Sequence, residues 1–219
     1  MIRAVKLLPW LSLVVVVTLF GQDSAPVMMS RFGGGKNTWA DATELAAAAE
    51  RGNSVAQAQY GEMLLRGSGG VAMNGQLGLE MLEHAARAGE ASAAFRIGML
   101  LDDGDSVAKD RVRALAYFKA AAVGGVAEAY HNVGAAYVGA HGIKRNYPEG
   151  LAWLILAVKH GVGMDSELAV RTRISKLRHP EWTLAGEARA VELESELKAS
   201  SVVDQLPPAE PLVYVAAKK

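Results

Sequence analysis

The 219-residue chain contains no cysteine. It therefore has neither a disulfide framework nor a cysteine for lipid attachment, and its fold must rest on packing alone. It has no excess of either charge, with 23 Lys and Arg against 23 Asp and Glu, which removes any general electrostatic pull on nucleic acid. Phosphate-loop, nucleophile and zinc-pair motifs are missing as well. Gly33, Gly34 and Gly35 precede Lys36 but lack the helix signature of a phosphate site, so they read as linker. Asp102, Asp103 and Asp105 form the densest acidic group. Their spacing lacks the alternating ligands and distal glutamate of a calcium loop, which leaves a polar loop. These absences lead to the expectation of a non-enzymatic protein without metal or cofactor.

What the chain does have is self-similarity. Gly52, Gly89, Gly125 and Gly161 recur at intervals of 37, 36 and 36 residues, and a period between 20 and 50 residues marks a stacked repeat architecture. The first copy places small or apolar residues at Ala56, Tyr60, Gly61, Leu64, Gly67, Val71, Gly78, Met81, Ala85 and Ala86. The second answers with Ala93, Ile97, Gly98, Leu101, Gly104, Val107, Ala114, Tyr117, Ala121 and Ala122. The third gives Ala129, Val133, Gly134, Tyr137, Ala140, Ile143, Gly150, Trp153, Ala157 and Val158.

In each copy the first half carries the stripe of a buried helix face, helix A, and the second half carries another, helix B. The glycine-rich and polar runs 66–74, 102–110 and 139–146 lie between them, so each unit is an antiparallel hairpin. A helical glycine costs roughly 1 kcal/mol relative to alanine. Its recurrence at Gly61, Gly98 and Gly134 calls for close helix packing, for which the double alanines Ala85/Ala86 and Ala121/Ala122 offer a small surface. Asn74, Asp110 and Asn146 stand where helix B needs an N-cap. Gly89, Gly125 and Gly161 stand where it needs a left-handed terminator.

The pattern resembles the Sel1-like repeat, a relative of the tetratricopeptide repeat with a longer loop. In words, it runs alanine, leucine-glycine, tyrosine, a glycine-rich loop closing on valine, aspartate, alanine, an aromatic, two alanines and a glycine. The second unit follows it nearly throughout. The first departs at Tyr60, Leu64, Gly78 and Met81, and the third at Ala140 and Gly150. The resemblance implies an all-α, right-handed helical-hairpin solenoid. Family members stapled by cysteine pairs are poor guides to this cysteine-free chain.

The expected organisation has six parts. Residues 1–25 form a signal peptide or N-terminal membrane anchor, and residues 26–37 a linker. Residues 38–161 form the solenoid, with a partial leading unit at 38–51 and full units at 52–88, 89–124 and 125–161. Residues 162–198 form a C-terminal capping helix pair broken at Pro180, with a polar exterior, and residues 199–219 a flexible tail. Arg3 and Lys6 precede an apolar run of 14 residues, 7–20. That is short against the ~20 a membrane span needs, and it suits a secretory signal. No small-x-small cleavage triplet precedes Pro26, so an uncleaved anchor at 7–20 is the alternative. Either form places the repeats in the periplasm or outside the cell. Arg171, Arg173, Lys176 and Arg178 precede Glu187, Glu192, Glu194 and Glu196, and mutual pairing on solvated faces is expected. Residues 212–215 could add as a strand to a partner, but an untethered terminus is the expectation.

His84, His131, His141, His160 and His179 occupy unrelated places in their units and read as surface or cap residues. A helical solenoid offers a surface instead. Helix A of successive units is expected to line a concave face, whose positions off the buried stripe are Gln59, Glu62, Arg66, Phe95, Arg96, Met99, His131, Asn132 and Ala135. These are the candidate partner-binding residues, with Phe95 and Arg96 as anchors, although Phe95 and Met99 could equally pack between helices. The resemblance implies a monomeric adaptor that binds a protein or peptide, in envelope assembly or signalling. The alternatives are a membrane-anchored component of an envelope machine and a cell-wall or β-lactam hydrolase-like enzyme.

Overall fold

The structure, a computed structural model, describes residues 39–216. The expected signal or anchor, the linker and the triple glycine lie outside the described residues. Helix α1 (Ala42–Glu50) leads into three hairpins, α2 (Ser54–Arg66) with α3 (Gly75–Arg87), α4 (Ala91–Asp103) with α5 (Arg111–Val123), and α6 (Ala127–Gly139) with α7 (Tyr147–Lys159). Then come α8 (Met164–Lys176), α9 (Pro180–Ala199) and the single turn α10 (Val202–Gln205). The two helices of each hairpin pair more extensively than successive hairpins do, and each B helix also packs on the A helix that follows. That is the nearest-neighbour stacking of a helical solenoid.

The same two devices close every unit. Asn74 accepts from Leu77 N at 3.2 Å, Asp110 from Arg113 N at 3.0 Å and Asn146 from Glu149 N at 3.0 Å, which satisfies free amides at the start of each B helix. The backbone N–H of each capping residue donates back to helix A, to the carbonyls of Leu64 (2.9 Å), Leu101 (2.9 Å) and Tyr137 (3.0 Å). The same bond closes all three loops, although the first, between α2 and α3, is one residue longer than the other two. At the other end, Gly52, Gly89, Gly125 and Gly161 have φ of 86°, 93°, 84° and 89°. The residue after each glycine donates to the carbonyl of Ala48, Ala85, Ala121 or Ala157, and the glycine itself donates to Ala49, Ala86, Ala122 or Val158. This is a Schellman cap. The double alanines thus supply the carbonyls that end helix B, with buried methyls beneath. Helix α1 ends on the same cap and packs on α2 as the later B helices pack on their successors.

The recurrent glycine of helix A does not face the double alanines, as the sequence suggested. It faces the start of its own helix B. A Cβ on Gly61 would stand 2.9 Å from Gly78 O, and one on Gly78 would stand 2.8 Å from Gly61 O. Gly134 and Gly150 oppose each other in the same way, at 3.0 and 3.1 Å. In the middle unit Ala114 replaces the second glycine, and Gly98 meets the Phe118 ring at 2.7 Å and Ala114 O at 3.3 Å. The hairpins therefore cross backbone to backbone. The main core runs through all three of them and includes Ile97, Leu101, Tyr117, Val133 and Trp153.

The two C-terminal helices both pack on α7 and touch each other little. Helix α8 lies where a fourth A helix would lie. Helix α9 does not complete that hairpin, because its own small-residue face matches α7: Gly186 lies against Leu151, whose Cδ2 is 2.9 Å from where a Cβ would be, and Ala190 and Leu193 are buried. The exterior is not polar throughout, since Leu168, Leu184 and Val191 remain exposed.

The expected flexible tail is docked through residue 215. Helix α10 rests on α5 and α3, Leu212 is buried in the main core, and Tyr214 forms an antiparallel bridge with Val107. Alternating apolar side chains with polar anchors between them account for the difference, and composition alone hides them. Among the described residues no helix is long and apolar enough to cross a membrane.

Candidate functional site

The sequence-derived candidates fall on three consecutive A helices: Gln59, Glu62 and Arg66 on α2, Phe95, Arg96 and Met99 on α4, and His131, Asn132 and Ala135 on α6. Arg66 is exposed and the other eight are half-buried, as expected of residues beside a packed stripe. A ladder links the helices. Arg96 Nε lies 2.5 Å from Glu62 Oε1, and Arg66 pairs with the same carboxylate at 3.2 Å. One unit further, Asn132 Nδ2 donates to Met99 Sδ at 3.5 Å. In both steps the residue after the helix-A glycine reaches the residue two before the next one. His131 Nε2 then lies 2.9 Å from Ser166 Oγ, which extends the ladder to α8. Ser166 was missed from the sequence because α8 has lost the repeat signature.

The two proposed anchors are already engaged. Phe95 packs on the core, with its ring centroid 5.8 Å from that of Phe118, and Met99 packs there as well. Arg96 presents a guanidinium held by Glu62, so a ligand on this face meets a preformed ion pair and not a mobile side chain. Gln59 and Ala135 flank the ladder without joining it.

The other candidate groups resolve into structure. Asp102 pairs with Arg111 at 3.2 Å. His160 ends α7 and stacks on Tyr130 at 4.6 Å, and His179 starts α9 and stacks on Trp182 at 4.0 Å. Among the described residues no three His, Asp or Glu side chains are placed to hold a metal ion. Of the four C-terminal basic residues, Arg171 alone reaches an expected partner, Glu187 at 2.6 Å, and it also pairs with Glu167. Glu192 and Glu196 are taken by Arg189, which in addition reaches Glu149 on α7 at 3.0 Å. Glu194 sits between Lys159 and Lys198 at 2.7 and 2.9 Å. The hydrogen bond from Lys159, followed by that from Lys198, holds its carboxyl down to about 2. The pairs of Arg189 with Glu149 and of Lys159 with Glu194 fasten α9 to α7, and that of Arg171 with Glu187 fastens α8 to α9, while Arg173, Lys176 and Arg178 are exposed.

The fold and this face together define a class, a helical-hairpin solenoid whose A helices form one linked surface. The Sel1 repeat matches residues 54–90, 91–125 and 127–162, and the chain belongs to the Sel1 repeat proteins. A solved Sel1 repeat protein from Oxalobacter formigenes is similar in fold, with a TM-score of 0.53 at 23% identity, over 61% of this chain and 96% of that one. A protective antigen present in uropathogenic Escherichia coli strains, described as having an SLR fold, matches at 22% identity and a TM-score of 0.48, over 81% of this chain and 45% of its own length. No curated protein matches the chain. Sel1 repeats generally mediate protein–protein interaction, and scaffolds of this family are typically non-catalytic.

Proposed function

We propose that the protein is an exported scaffold that binds a partner protein or peptide along the helix-A face and serves envelope assembly or signalling. The observation that carries the binding face is the continuous ladder from Glu62 through Arg96, Met99 and Asn132 to His131 and Ser166. It gives three stacked units one rigid, mixed polar and apolar surface, with side chains held in place before a ligand arrives. Preorganisation of that kind lowers the ordering cost of association. The basic N-terminus and apolar run at 7–20 support export, and an anchor retained at that run would keep the same face outside the cytoplasm.

The face is tested with photo-crosslinking residues placed at Gln59 and Ala135 on helix A and, as a control, at the exposed Ala188 on α9, in the native host. Adducts are expected at the first two positions and weakened at least tenfold by Arg96→Ala in a chain of unchanged helical content. Equal adduct yield at Ala188, or no effect of Arg96→Ala, would remove the helix-A assignment. Sequencing the mature N-terminus decides between cleavage and anchoring.

A further inference from the structure

The C-terminal segment is held as a ligand is held. The carbonyl of Glu210 accepts from Arg113 Nη2 at 2.9 Å, and its carboxylate lies 3.6 Å from Arg113 Nη1. Two residues on, Leu212 is buried, and its carbonyl accepts from Gln76 Nε2 at 3.2 Å. Two further, Tyr214 N donates to Gln76 Oε1 at 3.0 Å. The tyrosine ring lies so close over Gly75 that a Cβ there would come within 2.3 Å of three ring carbons. Val215 N donates to Ser106 O at 2.7 Å. Between these anchors Val213 and Val215 are exposed, at 66% and 49%.

Alternate residues are therefore inserted while the main chain is bonded on both sides. The side-chain amide of Gln76 serves as a surrogate peptide group, and the Ser106–Val107 backbone serves as a sheet edge. Main-chain bonds that give affinity and alternating pockets that give selectivity are the features of extended-peptide recognition. The hairpin itself does not require these groups. The positions of Gly75, Gln76 and Arg113 carry unrelated residues in the other units, with Arg111 and Tyr147 in place of Gly75 and Val112 and Pro148 in place of Gln76. The segment is joined to α9 only through extended backbone at Ser200 and Ser201, the turn α10 and the stiff Pro207–Pro208 pair. It can leave without opening a hairpin.

We propose that the groove between α3 and α5, closed by residues 104–107, is a binding site for an extended segment of a partner protein. That segment carries a carboxylate two residues before a buried leucine and an aromatic residue two after it. Residues 210–215 are the resident competitor. This site is separate from the helix-A face and stands whether or not that face binds anything. A tethered segment acts at an effective concentration on the order of 1 mM. With an open-site Kd of about 50 μM for the resident segment itself, a partner segment would therefore bind the intact protein roughly 20-fold more weakly than a protein whose tail is released, whatever its own affinity.

The test uses the full chain, as wild type and as the Leu212→Asp/Tyr214→Ala double variant, with a fluorescent peptide of residues 207–216 read by anisotropy. The released chain is expected to bind at least tenfold more tightly than wild type. Gly75→Ala added to the released chain, or a peptide with its tyrosine changed to alanine, is expected to lose at least tenfold. A released chain with unchanged helical content that does not bind, or binds no better than wild type, overturns the proposal. Should the double variant fail to fold, hydrogen exchange on wild type takes its place. Peptide at millimolar concentration should deprotect the resident Tyr214 and Val215 amides, and unchanged protection overturns the site. Wild-type dimers that grow with concentration and vanish in the double variant would reassign the groove to exchange between copies and overturn the partner.

Discussion

Replacing Gly61 with alanine sets two known effects against each other. Alanine is favoured over glycine inside a helix by about 1 kcal/mol, so an unpacked site would be stabilised. Here the new Cβ would stand 2.9 Å from Gly78 O, 3.1 Å from Leu82 Cγ and 3.3 Å from Leu82 N. Two of these three atoms are backbone of the opposing helix and cannot rotate away, so the helices must part. Overpacking of this kind costs about 1–3 kcal/mol, and with so little freedom the upper part of that range applies. The net expectation is a loss of about 1–2 kcal/mol, or a Tm lower by about 3–6 °C for a chain of this size. Gly134→Ala should lose at least as much, because its Cβ would come within 2.7 Å of Leu154 Cγ and 3.0 Å of Gly150 O. Gly98→Ala should lose less, since its closest neighbour is the edge of the Phe118 ring and the facing carbonyl is 3.3 Å away. Urea and thermal denaturation followed by circular dichroism measure the order. A Gly61→Ala chain more stable than wild type, or Gly98→Ala as the most damaging of the three, would refute backbone crossing as the reason for these glycines.

Two further outcomes are expected. Gly89→Ala should cost about 1–2 kcal/mol in urea denaturation for a different reason: φ is 93° with nothing within 4 Å of a new Cβ, so the loss is conformational and Gly89→Asn should recover part of it. The Glu194 carboxyl, held to about 2, contributes to the attachment of α9 above the ordinary carboxylate range. That contribution is lost as pH falls from there through about 2. A carbon-detected NMR titration should show the depressed midpoint, and Lys159→Met should move it back up.

The sequence showed the hairpins because their ends are written in residues with one job each. Asn74, Asp110 and Asn146 are capping side chains, and Gly89, Gly125 and Gly161 are left-handed terminators, so local chemistry decides both. It did not show which surfaces meet. Spacing places Gly61 on a buried stripe, but a stripe does not name its neighbour, and the double alanines proved to end helix B while Gly78 met Gly61. The acidic run on α9 was visible as charge. Of its partners the basic cluster supplied only Arg171, to Glu187, because Arg189, on α9 itself, and Lys159, brought up by α7, take the other carboxylates from positions outside that cluster.

What the period conceals is more telling than what it reveals. Three residues after the capping side chain the units carry Leu77, Arg113 and Glu149, a position with no shared chemistry. Aligning the repeats discards it as noise. In the fold, Arg113 holds Glu210 of the tail and Glu149 holds Arg189 of α9, so the same register on successive B helices fastens two different C-terminal segments. The repeat positions build a uniform rod, and the positions that break the repeat decide what lies along it. A search for ligands of this protein therefore begins at residues such as Gly75, Gln76 and Arg113, where one unit departs from its neighbours.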